Sequence, residues 1–269
     1  MNFFNLIFPK DLYCISCGRP LPLLSEKGIA LCERCVSEIT WVSGRICKKC
    51  GRSLADENPK DICHNCEKES HVFGRAFACV LYSSKAAELV RDMKYRNRTW
   101  YSDTLSAIMA EKYFSLVDSE TGELPAYDFL VSVPMSLKKK ASRGYDQAEL
   151  ITKKLSAKLN IKYLNKAIVR VKNTGVMSSL SLDERRANLA GAFSVPCDMI
   201  NILAGKRILI ADDVYTTGSS VNACAEALLS AGVKDVDVIV FGTGADVRRP
   251  EDRPAVVESP SQLRAKGPT

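Results

Sequence analysis

Four Cys-x-x-Cys pairs crowd into residues 14–66: CISC (14–17), CERC (32–35), CKKC (47–50) and CHNC (63–66). A two-residue spacer lets both thiolates of one tight turn point at the same ion, and two such turns complete a tetrahedral four-sulfur site. The segment also contains an internal repeat, because CISCGRPL at 14–21 returns as CKKCGRSL at 47–54. Each copy is followed by a second pair preceded by an apolar residue, LCERC and then ICHNC. A cross-braced pairing is possible, but a duplicated unit should close its own site. The repeat therefore predicts two consecutive zinc ribbons, one built from Cys14, Cys17, Cys32 and Cys35, the other from Cys47, Cys50, Cys63 and Cys66. With four sulfurs each, both sites are closed, and their two zinc ions are structural. The segment has few large apolar side chains, so its fold depends on metal.

Other cysteine chemistries fit less well. Disulfides need an oxidising compartment. The opening MNFFNLIFPKD has neither a basic residue ahead of its apolar patch nor a small-residue cleavage site, so it is a poor export signal and the expected location is cytoplasmic. A thioredoxin-type site has one such pair within a βαβ context, and iron–sulfur ligation more often strings its cysteines closely. Only two histidines exist, His64 and His71, which excludes a multi-histidine metal centre and argues against histidine catalysis. His64, surplus within CHNC, is expected to be solvated. Cys79, Cys197 and Cys224 stand apart from the pairs and read as core thiols. No uninterrupted apolar run approaches the roughly 18–20 residues a membrane span requires.

A chain of 269 residues exceeds the usual size of one domain. From about Phe73 the pattern changes to alternating strands and helices. FLVSVP (129–134), AIVRV (167–171), KRILIA (206–211) and VDVIVFG (236–242) read as strands, and YDQAELITKKLSAKL (145–159) and SSVNACAEALLSAG (219–232) as helices. Ser181 with Glu184 forms a capping-box start for a further helix. Such alternation predicts an α/β domain with a mostly parallel sheet and a ligand at the carboxyl ends of its strands. The expected division is a double zinc ribbon over 1–72, the α/β domain over 73–244, and a disordered tail over 245–269.

The most specific motif is RILIADDVYTTGSS (207–220): a buried strand ending in Asp212 and Asp213, a Thr/Gly/Ser turn, then a helix start. Backbone N–H groups and hydroxyls of Thr216, Thr217, Gly218 and Ser219 can surround a phosphate at the helix N-terminus. The two carboxylates upstream can accept hydrogen bonds from vicinal ribose hydroxyls. The pattern suits a sugar phosphate.

Charge is uneven. Lys138 to Lys172 holds eleven Lys or Arg against Asp146 and Glu149, a net +9 in a chain whose formal charge is +7. Such a segment attracts polyanions or a phosphorylated small molecule. Its tightest cluster, Lys138, Lys139, Lys140 and Arg143, directly follows a strand. Lys94, Tyr95, Arg96, Arg98, Trp100 and Tyr101 interleave cations with aromatics, a composition suited to single-stranded nucleic acid. A helix end with ordinary packing aromatics is the competing reading.

Residues 207–220 resemble the phosphoribosyl pyrophosphate (PRPP) motif of type I phosphoribosyltransferases. Together with the doubled ribbon they resemble the ComF family of competence-associated proteins. VSVPMSLKKKASRGYDQA (131–148) is similar to that family's VPVP…RGFNQA segment, and LSLDERRANLAGAF (180–193) to its LS..ER..N..GAF segment. Asp146 stands where the family has Asn, and Met177 where it commonly has Gln. The resemblance implies that Asp212 and Asp213 hold the ribose hydroxyls of PRPP and Thr216 to Ser219 its 5′-phosphate. Ser136, Lys138 and Arg143 would face the pyrophosphate, bridged to the ribose by Mg²⁺, and residues 173–190 would form a loop that excludes water. Two functions follow as expectations. One is a PRPP-binding accessory factor for DNA uptake, with single-stranded DNA and uptake or recombination proteins as candidate partners; its DNA would lie on Lys138, Lys139, Lys140, Arg143, Lys94, Arg96 and Trp100. The other is an active transferase of phosphoribose to an amine or base. No general base, acceptor or oligomeric state is legible.

Overall fold

The structure is a computed structural model that describes residues 13–22, 28–172 and 189–246. Strands β1 (Ala76–Leu81), β2 (Phe129–Ser132), β5 (Arg207–Tyr215) and β6 (Asp235–Thr243) form one parallel sheet in the order β1-β6-β5-β2. The two central strands are apolar almost throughout, as burial of both faces requires. Side chains alternate between the faces. Leu209, Ala211, Ile239 and Phe241 belong to one core and Ile208, Ile210, Val238 and Val240 to the other. Helices α3 (Ser84–Tyr95), α4 (Tyr101–Phe114) and α6 (Gln147–Leu159) supply side chains to the first core, and α8 (Ser219–Ser230) to the second. No helix among the described residues is long and apolar enough to cross a membrane.

Both outer edges of the sheet are covered, which removes the exposed hydrogen-bonding groups that invite edge-to-edge pairing. On β1, Val42 N–H donates to the Cys79 carbonyl (3.0 Å) and Leu81 N–H to the Thr40 carbonyl (2.8 Å), so the ribbon segment itself shields that edge. On β2, Leu130 exchanges bonds with Lys162 and Leu164, each 2.9 Å.

Each ribbon closes on its own four cysteines, in the sequential pairing expected from the repeat. The sulfurs of Cys14, Cys17, Cys32 and Cys35 lie within 4.8 Å of one another, as do those of Cys47, Cys50, Cys63 and Cys66. Tetrahedral coordination at about 2.3 Å places sulfurs roughly 3.8 Å apart. The Cys17–Cys32 and Cys50–Cys63 sulfurs, at 3.6 and 3.5 Å, match that spacing, and all eleven cysteines are free thiols. The donor sets therefore fit two structural zinc ions. Short helices α1 (Glu33–Ser37) and α2 (His64–Lys68) start directly after Cys32 and Cys63. The first ribbon rests on α3 and α4, where Ala30 N–H donates to Thr104 Oγ1 (3.2 Å) and Lys85 Nζ to Ser16 Oγ (3.0 Å). The second packs against β1, with Ala76 N–H donating to the Lys49 carbonyl (2.7 Å).

Several local readings need correction. The strand expected over 206–211 runs on through both acids to Tyr215, because β6 extends beside it and pairs Asp212 with Val240 and Tyr215 with Thr243. The strand expected over 167–171 shrinks to β3 (Val169–Arg170), which pairs antiparallel with β4 (Phe193–Ser194) outside the main sheet. Cys79 and Cys224 are core thiols, and burial pushes Cys79 up to about 12. Cys197 is exposed at the start of α7 (Cys197–Leu203) and is not a core thiol. His64 is not a solvated surplus side chain: its Nδ1 lies 3.0 Å from the Asp246 carboxylate, which also accepts from Asn58 and from the His64 and Ala55 amides. Ala245 and Asp246, read as the start of the tail, are thus tied to the second ribbon. Met177, the Ser181–Glu184 capping box, most of the 173–190 loop and residues 247–269 lie outside the described residues.

Candidate functional site

The end of β5, the following turn and the start of α8 build one cradle of about 110 Å³, lined by Asp212, Val214 and residues 215–221. Gly218 precedes the helix at φ +84°. A Cβ there would sit 2.2 Å from the Tyr215 hydroxyl, so this turn requires glycine both for its conformation and for its close approach. Thr217 Oγ1 lies 2.8 Å from Ser219 Oγ and accepts from the Ser219 amide, which holds both hydroxyls at the helix N-terminus. Hydroxyls and helix-end amides in one concavity can surround a phosphate. Thr216, Thr217, Gly218 and Ser219 all line this one concavity.

The two acids play different parts. Asp213 is buried, and its Oδ1 accepts from Lys94 Nζ at 2.9 Å, while Oδ2 has no hydrogen-bond partner. Burial opposes the charge of Lys94, but Asp213 more than restores it, so that ammonium titrates above its ordinary range. Asp212 accepts from the Asp213 amide at 2.8 Å. Burial, reinforced by the neighbouring Asp213 charge, raises the Asp212 carboxyl well above the usual carboxylate range. Lys94 is therefore no exposed member of a nucleic-acid patch: it is the counter-ion of the acid pair.

The loop after β2 ends in α5 (Leu137–Arg143). Ser136, expected to face a pyrophosphate, is buried and uses its Oγ to accept the Lys139 amide as the N-cap of that helix. Lys138 is exposed. Lys140 is engaged by Glu149 at 3.0 Å, and Glu149 also binds Lys153 at 2.6 Å. Lys139 is exposed as well. Partial burial, and then the charges of Arg170, Arg143 and Lys94, hold its ammonium below the ordinary lysine value. Arg170, whose charge acts on Lys139, is a cation the sequence reading did not single out. Asp146, the departure from the family pattern, accepts from the Met135 amide at 2.9 Å and the Glu149 amide at 3.2 Å, so its two oxygens join the loop to the start of α6.

Beside this site lies an open cleft of about 350 Å³ lined by Lys94, Tyr95, Asn97, Ser142, Arg143 and Tyr145. Tyr95 is 76% exposed, and the Arg143 guanidinium lies 5.5 Å from its ring centroid. Tyr145 donates to the Met93 carbonyl and so anchors the α5–α6 turn to α3. Trp100 is exposed and meets Tyr101 edge to face, whereas Tyr101 is fully buried. Arg96 and Arg98 both bind Asp92, at 3.1 and 2.8 Å. Tyr95 and Trp100 are thus presented to solvent, Arg143 is half-buried and donates to Gln147 Oε1, and Arg96 and Arg98 are tied to Asp92.

Comparison with known proteins agrees with this architecture. A double zinc ribbon domain matches residues 3–67, and a phosphoribosyl transferase domain matches residues 141–266. The chain is 31% identical to Competence protein F of Haemophilus influenzae, over 88% of this chain and 97% of that one. It is 28% identical to the DNA utilization protein YhgH of Escherichia coli K12, over 84% of this chain and 94% of the relative. Competence protein ComFC of Bacillus subtilis is 23% identical over 75% of this chain and 79% of its own length.

Proposed function

The chain belongs to the ComF family of competence proteins, and on that footing we propose that it binds PRPP and single-stranded DNA and acts in the use of incoming DNA. The observation that carries the ligand half is the adjacency of the Thr216–Ser219 cradle, the Asp212–Asp213 pair and Lys94, with Arg143 lining the neighbouring cleft beside Lys94. A 5′-phosphate fits the cradle, a ribose diol the carboxylates, and a diphosphate the cations. Asp213 would exchange its bond from Lys94 for bonds from ribose hydroxyls, releasing the ammonium toward the diphosphate. Mg²⁺ would arrive with the diphosphate, which it holds together with few protein ligands. Among the described residues the site offers charge neutralisation and positioning, the two effects on which reaction at a ribosyl centre depends.

The DNA half rests on the exposed Tyr95 ring with Arg143 over it, Trp100, and the solvent-facing Lys138 and Lys139. Bases can stack on the aromatic faces while phosphates meet the cations. The names of the Haemophilus and Escherichia relatives, a competence protein and a DNA utilization protein, point the same way. Calorimetric titration with PRPP and with oligo-dT, each with and without Mg²⁺, tests the proposal. Saturable PRPP binding in Mg²⁺ and salt-dependent oligo-dT binding are expected. Failure of either ligand to bind at low salt removes that half. Release of pyrophosphate when an amine or base is added would replace the accessory role with a transferase.

A further inference from the structure

We infer that Arg52 of the second ribbon is a positioning residue for the phosphate loop, so that this ribbon is the foundation of the sugar-phosphate site. The inference rests on the proposal that residues 216–219 take a phosphate. Arg52 is 3% exposed, unusual burial for a guanidinium. Its Nη2 donates to the Thr216 carbonyl at 2.9 Å and its Nη1 to the Ala245 carbonyl at 3.0 Å. One side chain thereby grips the first residue of the phosphate turn and the segment leaving β6.

The peptide unit is planar and trans, so its C=O and N–H point in opposite directions. Holding the Thr216 carbonyl toward the ribbon therefore turns the Thr217 N–H away from it and fixes the first amide of the turn. The preceding residue is pinned as well. The Tyr215 hydroxyl lies 3.2 Å from His71 Nε2, its ring meets Phe73 edge to face at 6.4 Å, and Arg52 lies 5.9 Å from the same ring. Gly218 then packs on Tyr215 too closely for any side chain. Tyr215 and Thr216, at the entrance of the cradle, are thus set from the ribbon side. A binding loop ordered before the ligand arrives avoids the entropic cost of ordering it on binding.

The duplicated sequence supplies an internal control. Arg19 holds in CISCGRPL the place that Arg52 holds in CKKCGRSL, yet Arg19 is exposed and its ribbon rests on α3 and α4. The two ribbons are therefore not equivalent, and only the second bears on the phosphate turn through this contact.

The test compares Arg52→Met, Arg52→Lys and Arg19→Met with the wild type in zinc content, amide hydrogen exchange over residues 216–219, and PRPP titration in Mg²⁺. Arg52→Met is expected to keep two zinc ions, to exchange faster at Thr217 to Ser219, and to bind PRPP about tenfold more weakly, equivalent to about 1.4 kcal/mol. Arg52→Lys is expected to lie between, because one ammonium on a flexible stem does not reproduce the planar fork. Arg19→Met is expected to match the wild type. Should Arg52→Met fail to fold, Arg52→Lys carries the comparison. Wild-type exchange and affinity in the folded variant, with both zinc ions bound, would overturn the inference. If the wild type binds no PRPP, the ligand proposal fails, and the exchange comparison alone still decides whether Arg52 orders the turn.

Discussion

Gly218 and Gly144 form a matched pair for measuring how tightly the phosphate turn is built. Both sit in the left-handed region at nearly the same angle, φ +84° and +83°. Nothing lies within 4 Å of a Cβ built on Gly144, whereas one on Gly218 would meet the Tyr215 hydroxyl at 2.2 Å and its ring carbons at 2.5 and 2.8 Å. Alanine at either position costs about 1–2 kcal/mol for the left-handed conformation. At Gly218 the buried Tyr215 ring must also move. An off-rotamer side chain costs about 0.5–1.5 kcal/mol and a weakened hydroxyl contact to His71 about 1 kcal/mol. Gly218→Ala should therefore cost about 1.5–2.5 kcal/mol more than Gly144→Ala. At about 2–4 °C per kcal/mol for a protein of this size, the gap in Tm is about 3–10 °C by calorimetry or circular dichroism. Adding Tyr215→Phe should recover part of the gap by removing the nearest atom. Equal melting temperatures for the two alanine variants would refute the reasoning, since the turn would then yield at no cost.

Metal analysis should find two zinc ions per chain, and Cys47→Ser should lose one of them while leaving the first ribbon loaded; one zinc or iron in the wild type would contradict the assignment. Asp213→Ala should weaken PRPP binding about 10- to 100-fold in titration, because charge-assisted hydrogen bonds worth about 1.5–3 kcal/mol are removed. The raised Asp212 carboxyl predicts a pH effect of definite sign. Protonation is favoured in the fold, so the stabilisation present below the unfolded value of 3.8 is lost as pH rises through the raised value. Asp212→Asn should therefore be more stable than the wild type at neutral pH, with the difference vanishing in acid when thermal unfolding is followed across pH. Replacing Lys138, Lys139 and Lys140 together should flatten the log–log salt slope of oligo-dT binding by about 1 to 1.5, since each contact contributes about 0.7 and Lys140 is already engaged by Glu149.

Spacing and local chemistry determined the ribbons and the phosphate turn. A cysteine pair around a tight turn, and a Thr-Thr-Gly-Ser run between strand and helix, bring their groups together within a few residues, whatever the rest of the chain does. The same holds for α6 and α8, where one polar face keeps the helical period visible. Helix α4 was not legible in this way: it is buried on nearly every side, from Tyr101 and Leu105 through Ile108, Met109 and Tyr113, so it shows no amphipathic stripe. Composition likewise could not sort the cations. Lys94 and Lys140 look alike in sequence, and only the packing of α3 beside the end of β5 sends the first to Asp213, while the α5–α6 turn sends the second to Glu149. Arg19 and Arg52 occupy equivalent places in a repeat, yet one faces solvent and the other is sealed beneath the phosphate turn. Local sequence can specify a turn or a metal knuckle because the interacting groups are near neighbours along the chain. Which charge meets which partner across 119 or 164 residues depends on how the sheet, the helices and the ribbons are stacked, and that is decided by tertiary packing alone.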